Sequence, residues 1–137
     1  MKRLAILLTG ALSLLFVAAA CGGGGESNGP EPVTLDFTGY DEFRYEPARA
    51  TVDADAEVTV NFENAGVLEH NWLLASNTVV PAEVSEADVI GGATSGVIPG
   101  GSTQTFTFTG PPAGTYQVLC TVPGHAAAGM VAEFIVE

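Results

Sequence analysis

Short runs of alternating apolar and polar residues, separated by turns rich in glycine and proline, make up the chain from residue 33 onward. Alternation with a period of two is typical of strands that bury one face. In residues 57–63, for example, Val58, Val60 and Phe62 lie on one face. The pattern predicts seven or eight strands, at residues 34–37, 43–45, 50–52, 57–63, 71–75, 103–109, 115–120 and 131–136. Such a chain folds as two packed sheets or as a barrel.

One connection is much longer than the others and runs from about residue 76 to residue 97. Within it, residues 82–90 are short and acidic and form the only helix candidate. A link of this length between strands usually has a function or carries a short helix of its own. We therefore expect an all-β domain with one short helix in this connection.

The N-terminus has the features of an export signal. Met1, Lys2 and Arg3 give a positive start, residues 4–20 are apolar or small, and Cys21 follows three alanines. These features predict a signal peptide over residues 1–20, and the cysteine resembles the acylated residue of a bacterial lipoprotein. An uncleaved anchor is the alternative, although seventeen residues lie at the lower limit for a membrane span. Either reading places the remaining chain outside the cytoplasm.

Residues 22–32 are rich in glycine and predict a flexible tether, with a reach of about 20 Å, between this signal and a domain at residues 33–137. Composition alone is equally compatible with a disordered tail that has no task. If the signal is removed, two arginines remain against sixteen acidic residues, a formal charge of −14. A chain this acidic is not expected to bind nucleic acid through phosphates. Two cysteines, far apart, exclude a small disulfide framework.

The residue types that bind soft metals are scarce and concentrated. Cys120, His125 and Met130 follow one another with four residues in each interval, and His70 lies about fifty residues upstream. Singly, each has an ordinary explanation, since a cysteine or methionine often fills a core and a histidine often lies at the surface. Together, one thiolate, two imidazoles and a thioether are the donor set that suits copper.

The sequence His70-Asn71-Trp72, the loop from Cys120 to Met130 and the preceding residues 114–119 resemble the cupredoxins, the small type 1 blue copper proteins. Within that family the likeness is strongest to the auracyanins, and then to azurin and rusticyanin. The resemblance implies a two-sheet Greek-key sandwich that holds one copper ion, which alternates between Cu(I) and Cu(II). It also implies that His70, Cys120 and His125 are the strong ligands and that Met130 is a weak axial ligand.

The resemblance further implies contacts around the ligands. The Asn71 side chain should bind Thr121, and the backbone N–H groups of Asn71 and Val122 should point at the cysteine sulfur, where they would tune the reduction potential. Two departures stand out. Azurin has three residues between the loop histidine and the methionine, where this chain has four. Glu69 occupies the place of an azurin glycine whose carbonyl approaches copper, so we do not expect a fifth ligand.

A site with four protein ligands leaves no open position for a substrate, which favours electron transfer over catalysis. A Cys-His hydrolase is the enzyme alternative, but no orienting partner for such a pair is evident. A copper chaperone or scavenger outside the cytoplasm is the second alternative. Such proteins usually carry several exposed methionines or histidines, whereas the domain has one methionine.

The expected function is therefore that of a monomeric electron carrier, lipid-anchored to the outer face of the cell membrane or in the periplasm. Its redox partners would be proteins such as a basic cytochrome c or a membrane electron-transfer complex. By family likeness, the edge of His125 should reach the surface inside a flat apolar patch formed by Val67, Leu68 and residues 126–128.

Overall fold

The computed structural model describes residues 29–137. The predicted signal peptide, Cys21 and most of the tether therefore lie outside the described residues. Residues 29–32 are exposed and belong to no strand or helix. Within the described part of the chain, no helix is long and apolar enough to cross a membrane.

Eight strands form two sheets of four strands each, which confirms the predicted all-β sandwich. The order is β2-β1-β4-β6 in the first sheet and β3-β8-β7-β5 in the second. Two neighbouring pairs, β1 with β4 and β3 with β8, are parallel, and the others are antiparallel. The strands are β1 (Val33–Tyr40), β2 (Arg44–Glu46), β3 (Arg49–Val52), β4 (Glu57–Asn64), β5 (Leu73–Ser76), β6 (Thr103–Thr109), β7 (Gly114–Leu119) and β8 (Val131–Val136).

The core lies between the two sheets, where the alternating positions face one another. Val58, Val60 and Phe62 of β4 are fully buried, as their shared face predicted. Trp72, which directly precedes β5, is fully buried among aromatic rings of both sheets, with centroid distances of 5.6 Å to Phe37 of β1 and 6.0 Å to Phe134 of β8. Apolar burial of this kind is the main stabilising contribution in a small domain.

The short helix predicted for residues 82–90 is instead two separate 3-10 turns, Pro81–Glu83 and Glu86–Asp88. Between them, Val84 and Ser85 have extended backbone, with ψ angles of 140° and 168°. A capping box then starts the second turn, because the Ser85 backbone N–H donates to Asp88 Oδ2 at 2.8 Å. The β-branched Val84 and the Ser85 cap therefore divide the acidic segment.

The long connection covers the outer face of the second sheet. Leu73 and Ala75 of β5 are fully buried, although they point away from the inter-sheet core. Their cover includes Val79, Val84 and Val89 of the connection. This explains why residues 71–75 are almost continuously apolar: both faces of β5 are covered.

Candidate metal centre

The four ligand candidates lie at one end of the second sheet. His70 pairs with Ile98 just before β5, and its backbone N–H donates to the Ile98 carbonyl at 3.2 Å. Cys120 directly follows β7, while His125 and Met130 belong to the loop between β7 and β8. Because β7 pairs with both β5 and β8, the segments that follow or precede these strands meet at the same end of the sheet.

Three donor atoms converge on one point. Nδ1 of His70 lies 3.1 Å from Nδ1 of His125, and the latter lies 3.6 Å from Sγ of Cys120. All three donors lie within 4.8 Å of one another. His70 and Cys120 are fully buried and His125 is 9% exposed. The positions predicted from scarcity and spacing are thus brought together, away from bulk water.

Met130 is also fully buried and packs in the same core cluster as Cys120. Its backbone N–H donates to the carbonyl of His125 at 3.0 Å, which closes the loop. Gly129, immediately before it, has a φ of 114°, a conformation that favours glycine and reverses the chain toward β8. The longer spacing of four residues therefore still returns Met130 to the core cluster that contains Cys120.

The Cys120 sulfur accepts hydrogen bonds from the backbone N–H groups of Asn71 and Val122. These are the two donors that the family likeness implied. Burial raises the pKa of the Cys120 thiol, the two N–H groups lower it, and the charge of Glu86 raises it, with a net increase. The thiol is therefore neutral in the metal-free protein, and binding of a soft cation would release its proton.

The side chain of Asn71 fastens the His70 segment to the ligand loop. Its Oδ1 accepts the Thr121 backbone N–H at 2.7 Å, and its Nδ2 donates to Thr121 Oγ1 at 3.0 Å. Glu86, from the second 3-10 turn, accepts hydrogen bonds from both the Asn71 amide (3.1 Å) and the Thr121 hydroxyl. Sequence reasoning missed Glu86, although the length of the connection that carries it was an indirect signal.

Asp41, in the turn between β1 and β2, was also missed. Its Oδ1 lies 3.0 Å from His70 Nε2, and its carboxylate accepts the backbone N–H groups of Val67 (2.8 Å) and Leu68 (3.2 Å). The hydrogen bond from the Val67 N–H, followed by those from His70 and Leu68, lowers the pKa of Asp41 below its usual value. No spacing rule in the sequence distinguishes this residue from the other acids.

His125 packs against the ring of Phe43, with a centroid distance of 4.8 Å. Phe43 has a φ of 55°, unusual for a bulky residue. Burial, and then the neighbouring His70, lower the pKa of His125. Its imidazole is therefore neutral near pH 7, so that a nitrogen lone pair is available to a metal.

Of the five residues predicted to form the apolar patch, four are exposed and one is not. Val67 is 86% exposed and Leu68 is 44% exposed, and Ala127 and Ala128 are exposed as well. Ala126 is only 4% exposed, so its inclusion in the patch was wrong. It packs with Leu73 and Leu119 because the outer face of the second sheet extends under the loop.

A buried cysteine sulfur, two imidazole nitrogens that face it, and a buried methionine form the donor set of copper electron-transfer centres. The fold and this site together define a small copper-binding sandwich. A family model described as copper binding proteins, plastocyanin/azurin family, matches residues 33–137. The chain therefore belongs to the plastocyanin/azurin family of copper-binding proteins.

Similar proteins agree with the likeness expected from the sequence. Auracyanin-A of Chloroflexus aurantiacus is 34% identical over 137 aligned positions, which cover 82% of this chain and 85% of the relative. The solved structure of that blue copper protein superposes with a TM-score of 0.64 at 31% identity, covering 77% of this chain and 99% of the other. An azurin (Az-iso2) of Methylomonas sp. strain J gives a TM-score of 0.63 at 26% identity and covers 76% and 97%.

A further relative is the copper-resistant cuproprotein CopI of Rubrivivax gelatinosus. It is 28% identical over 101 positions, covering 70% of this chain and 61% of the relative. The protein is thus a blue copper cupredoxin of the electron-carrier type, with His70, Cys120, His125 and Met130 as candidate ligands of one copper ion. Proteins of this family are generally carriers and not enzymes.

Proposed function

We propose that the protein is a monomer that carries single electrons between extracytoplasmic redox partners, held at the membrane by a lipid on Cys21. The observation that carries the electron-transfer part is the convergence of two imidazole nitrogens and one sulfur in a buried site. Copper bound there supplies the one-electron couple. The surrounding hydrogen bonds hold the donor residues in place, which keeps the rearrangement between the two oxidation states small.

The exposed residues beside the site suit brief contacts with a protein partner. Val67, Leu68, Ala127 and Ala128 are small or apolar and exposed, and His125 lies in the same loop as the two alanines. A small apolar contact surface allows close approach without a large buried area, so a complex would dissociate quickly. This supports electron exchange at the His125 end of the sandwich.

Acidic side chains near this patch favour a basic partner. Glu42 follows Asp41, Glu69 precedes His70, and Glu86 binds Thr121, and all three are exposed. The chain as a whole has a formal charge of −12. Negative charge around the docking surface attracts a positively charged protein, such as a basic cytochrome c, and accelerates encounter at low salt.

Electron transfer to a basic cytochrome c should therefore slow as salt is added. Between about 0.01 M and about 1 M ionic strength, the Debye length falls from about 30 Å to about 3 Å. Over this range we expect the second-order rate constant of electron transfer to fall about tenfold or more. Stopped-flow absorption measures this rate constant. Glu69→Gln should lower the low-salt rate more than its matched control, Glu57→Gln. Glu57 is exposed and lies at the opposite end of β4 from Asn64, whose amide contacts the Leu68 carbonyl. A rate that is constant or rises with salt contradicts steering by these acids.

The position of Val33, where the first strand begins, is compatible with tethering. In the parallel pair of β1 and β4, Val33 pairs with Val58, while Gly39 pairs with Asn64 at the end that holds the site. The chain therefore enters the domain at the end opposite the copper position. A lipid anchor upstream of residue 33 would leave the His125 end free for partners.

The anchor is tested by metabolic labelling in a bacterial host. We expect radioactive palmitate to be incorporated into the wild-type protein and into Cys120→Ser, but not into Cys21→Ala. The comparison of the two cysteine variants excludes attachment to the other thiol. Absence of label from all three proteins would remove the lipid anchor from the proposal, with the electron-transfer part unaffected.

A copper chaperone or scavenger is the second candidate, because the chain is similar to a copper-resistant cuproprotein. Repeated oxidation and reduction of the copper-loaded protein in the presence of a copper chelator distinguishes the two. A carrier keeps its copper through many cycles, since its donors are buried. A chaperone loses copper to the chelator within a few cycles.

A further inference from the structure

We propose that Asp41 is a positioning residue that fixes His70 with its Nδ1 lone pair toward the copper position and makes bound Cu(II) harder to reduce. The second half of this inference rests on the proposed function, because it requires copper at the site. The first half concerns the metal-free protein as well. Two sets of contacts support the positioning role of Asp41.

The first contact is between the carboxylate and the imidazole. Asp41 Oδ1 lies 3.0 Å from Nε2 of His70, whose ring is fully buried. An ionised carboxylate only accepts hydrogen bonds, so Nε2 must carry the hydrogen of this contact. In a neutral imidazole the other nitrogen, Nδ1, then has a free lone pair. That nitrogen is the one 3.1 Å from Nδ1 of His125, at the point where the donors converge.

The second set of contacts holds the carboxylate itself. The backbone N–H groups of Val67 and Leu68 donate to Asp41 at 2.8 and 3.2 Å. A Cβ atom on Gly66 would lie only 1.9 Å from Asp41 Oδ1, so the backbone at that glycine packs directly against the carboxylate. The side chain of Asp41 is accordingly only 31% exposed. The Asp41 carboxylate therefore cannot move away from His70 without breaking its hydrogen bonds to Val67 and Leu68.

A fixed negative charge one imidazole ring away from copper has a predictable effect. Cu(II) carries one more positive charge than Cu(I), so the carboxylate stabilises the oxidised state more. A carboxylate partner also raises the basicity of the imidazole that it contacts. The hydrogen bonds of Glu86, by contrast, go to Asn71 and Thr121 and not to a ligand imidazole. Among the residues that the structure describes, Asp41 is thus the carboxylate in contact with a ligand imidazole.

The proposal is tested first with Asp41→Asn in the copper-loaded protein. The amide keeps an oxygen acceptor for His70 Nε2 but removes the charge. We expect the preference for Cu(II) over Cu(I) to fall about tenfold, which raises the one-electron reduction potential by about 59 mV. The matched control is Glu42→Gln, since Glu42 is the next residue, exposed and of the same charge. Its shift should be clearly smaller.

A second measurement does not need copper. Long-range ¹H–¹⁵N spectra of the metal-free wild-type protein should show His70 protonated at Nε2 and bare at Nδ1. In Asp41→Ala this preference should be lost. If His70 is protonated at Nδ1 in the wild type, or if the two charge variants shift the potential equally, the role of Asp41 is overturned. If the protein binds no copper, the proposed function fails, and the His70 spectra alone decide the positioning role.

Discussion

Replacement of Cys120 by serine should abolish the strong red absorption of the Cu(II) protein completely. The band arises from charge transfer between the cysteine thiolate and Cu(II), and a serine hydroxyl has no comparable donor orbital. Two histidine nitrogens remain within reach of each other, so some copper binding should persist. The visible spectrum of the purified, Cu(II)-loaded variant measures the loss, and total copper by mass spectrometry shows whether metal is still present.

The fold should tolerate this change, which makes the result interpretable. Serine is close to cysteine in size, and its oxygen can accept the backbone N–H groups of Asn71 and Val122 that now point at the sulfur. Cys21→Ser is the matched control, because it removes the other cysteine of the chain and should leave the colour intact. A Cys120→Ser protein that stays blue would remove Cys120 from the site and would contradict the copper assignment at this position.

The strands could be predicted from the sequence because a half-buried strand leaves a direct trace in the alternation of its residues. Val58, Val60 and Phe62 share the inner face of β4 as that alternation requires. Alternation does not predict burial where a segment distant in sequence covers the residue. The long connection covers Leu73 and Ala75 from outside, and the same cover draws Ala126 below the surface. Neither effect is encoded locally, so Ala126 was wrongly predicted to lie at the surface. The helix predicted for residues 82–90 was wrong for a different, local reason, because the capping box of Ser85 and Asp88 starts a separate turn.

The candidate ligands could be predicted for a different reason. Cysteine, histidine and methionine are so scarce here that their joint placement is informative. Asp41 and Glu86 offer no such signal, because each is one of sixteen acidic residues. Their contacts depend on how the β1–β2 turn meets the segment before His70, and on where a 3-10 turn of the long connection lies. Such contacts are products of tertiary packing, which single-sequence patterns do not record.

Trp72→Ala should lower the free energy of unfolding by about 3–5 kcal/mol, as large-to-small changes at buried aromatic positions do. The indole ring is fully buried and joins the two sheets. Its centroid lies 5.3 Å from that of Phe106 and 6.0 Å from that of Phe108, both in β6. Urea unfolding of the metal-free protein, followed by far-UV circular dichroism, measures the change. Total stability of a small domain is about 5–15 kcal/mol, so this loss is a large fraction of it.

Trp72→Phe separates ring packing from the polar group of the indole. Within residues 29–137, Trp72 Nε1 is buried without a hydrogen-bond partner, so its removal should cost little, and phenylalanine keeps most of the aromatic contact. The phenylalanine variant should therefore lose clearly less stability than the alanine variant. Equal losses would show that the inter-sheet aromatic contacts are not what stabilises this position.

Because Trp72 is two residues after His70, the alanine variant also tests whether the core supports the metal site. The red absorption band of the copper-loaded alanine variant should broaden or weaken at temperatures where that of the phenylalanine variant is unchanged.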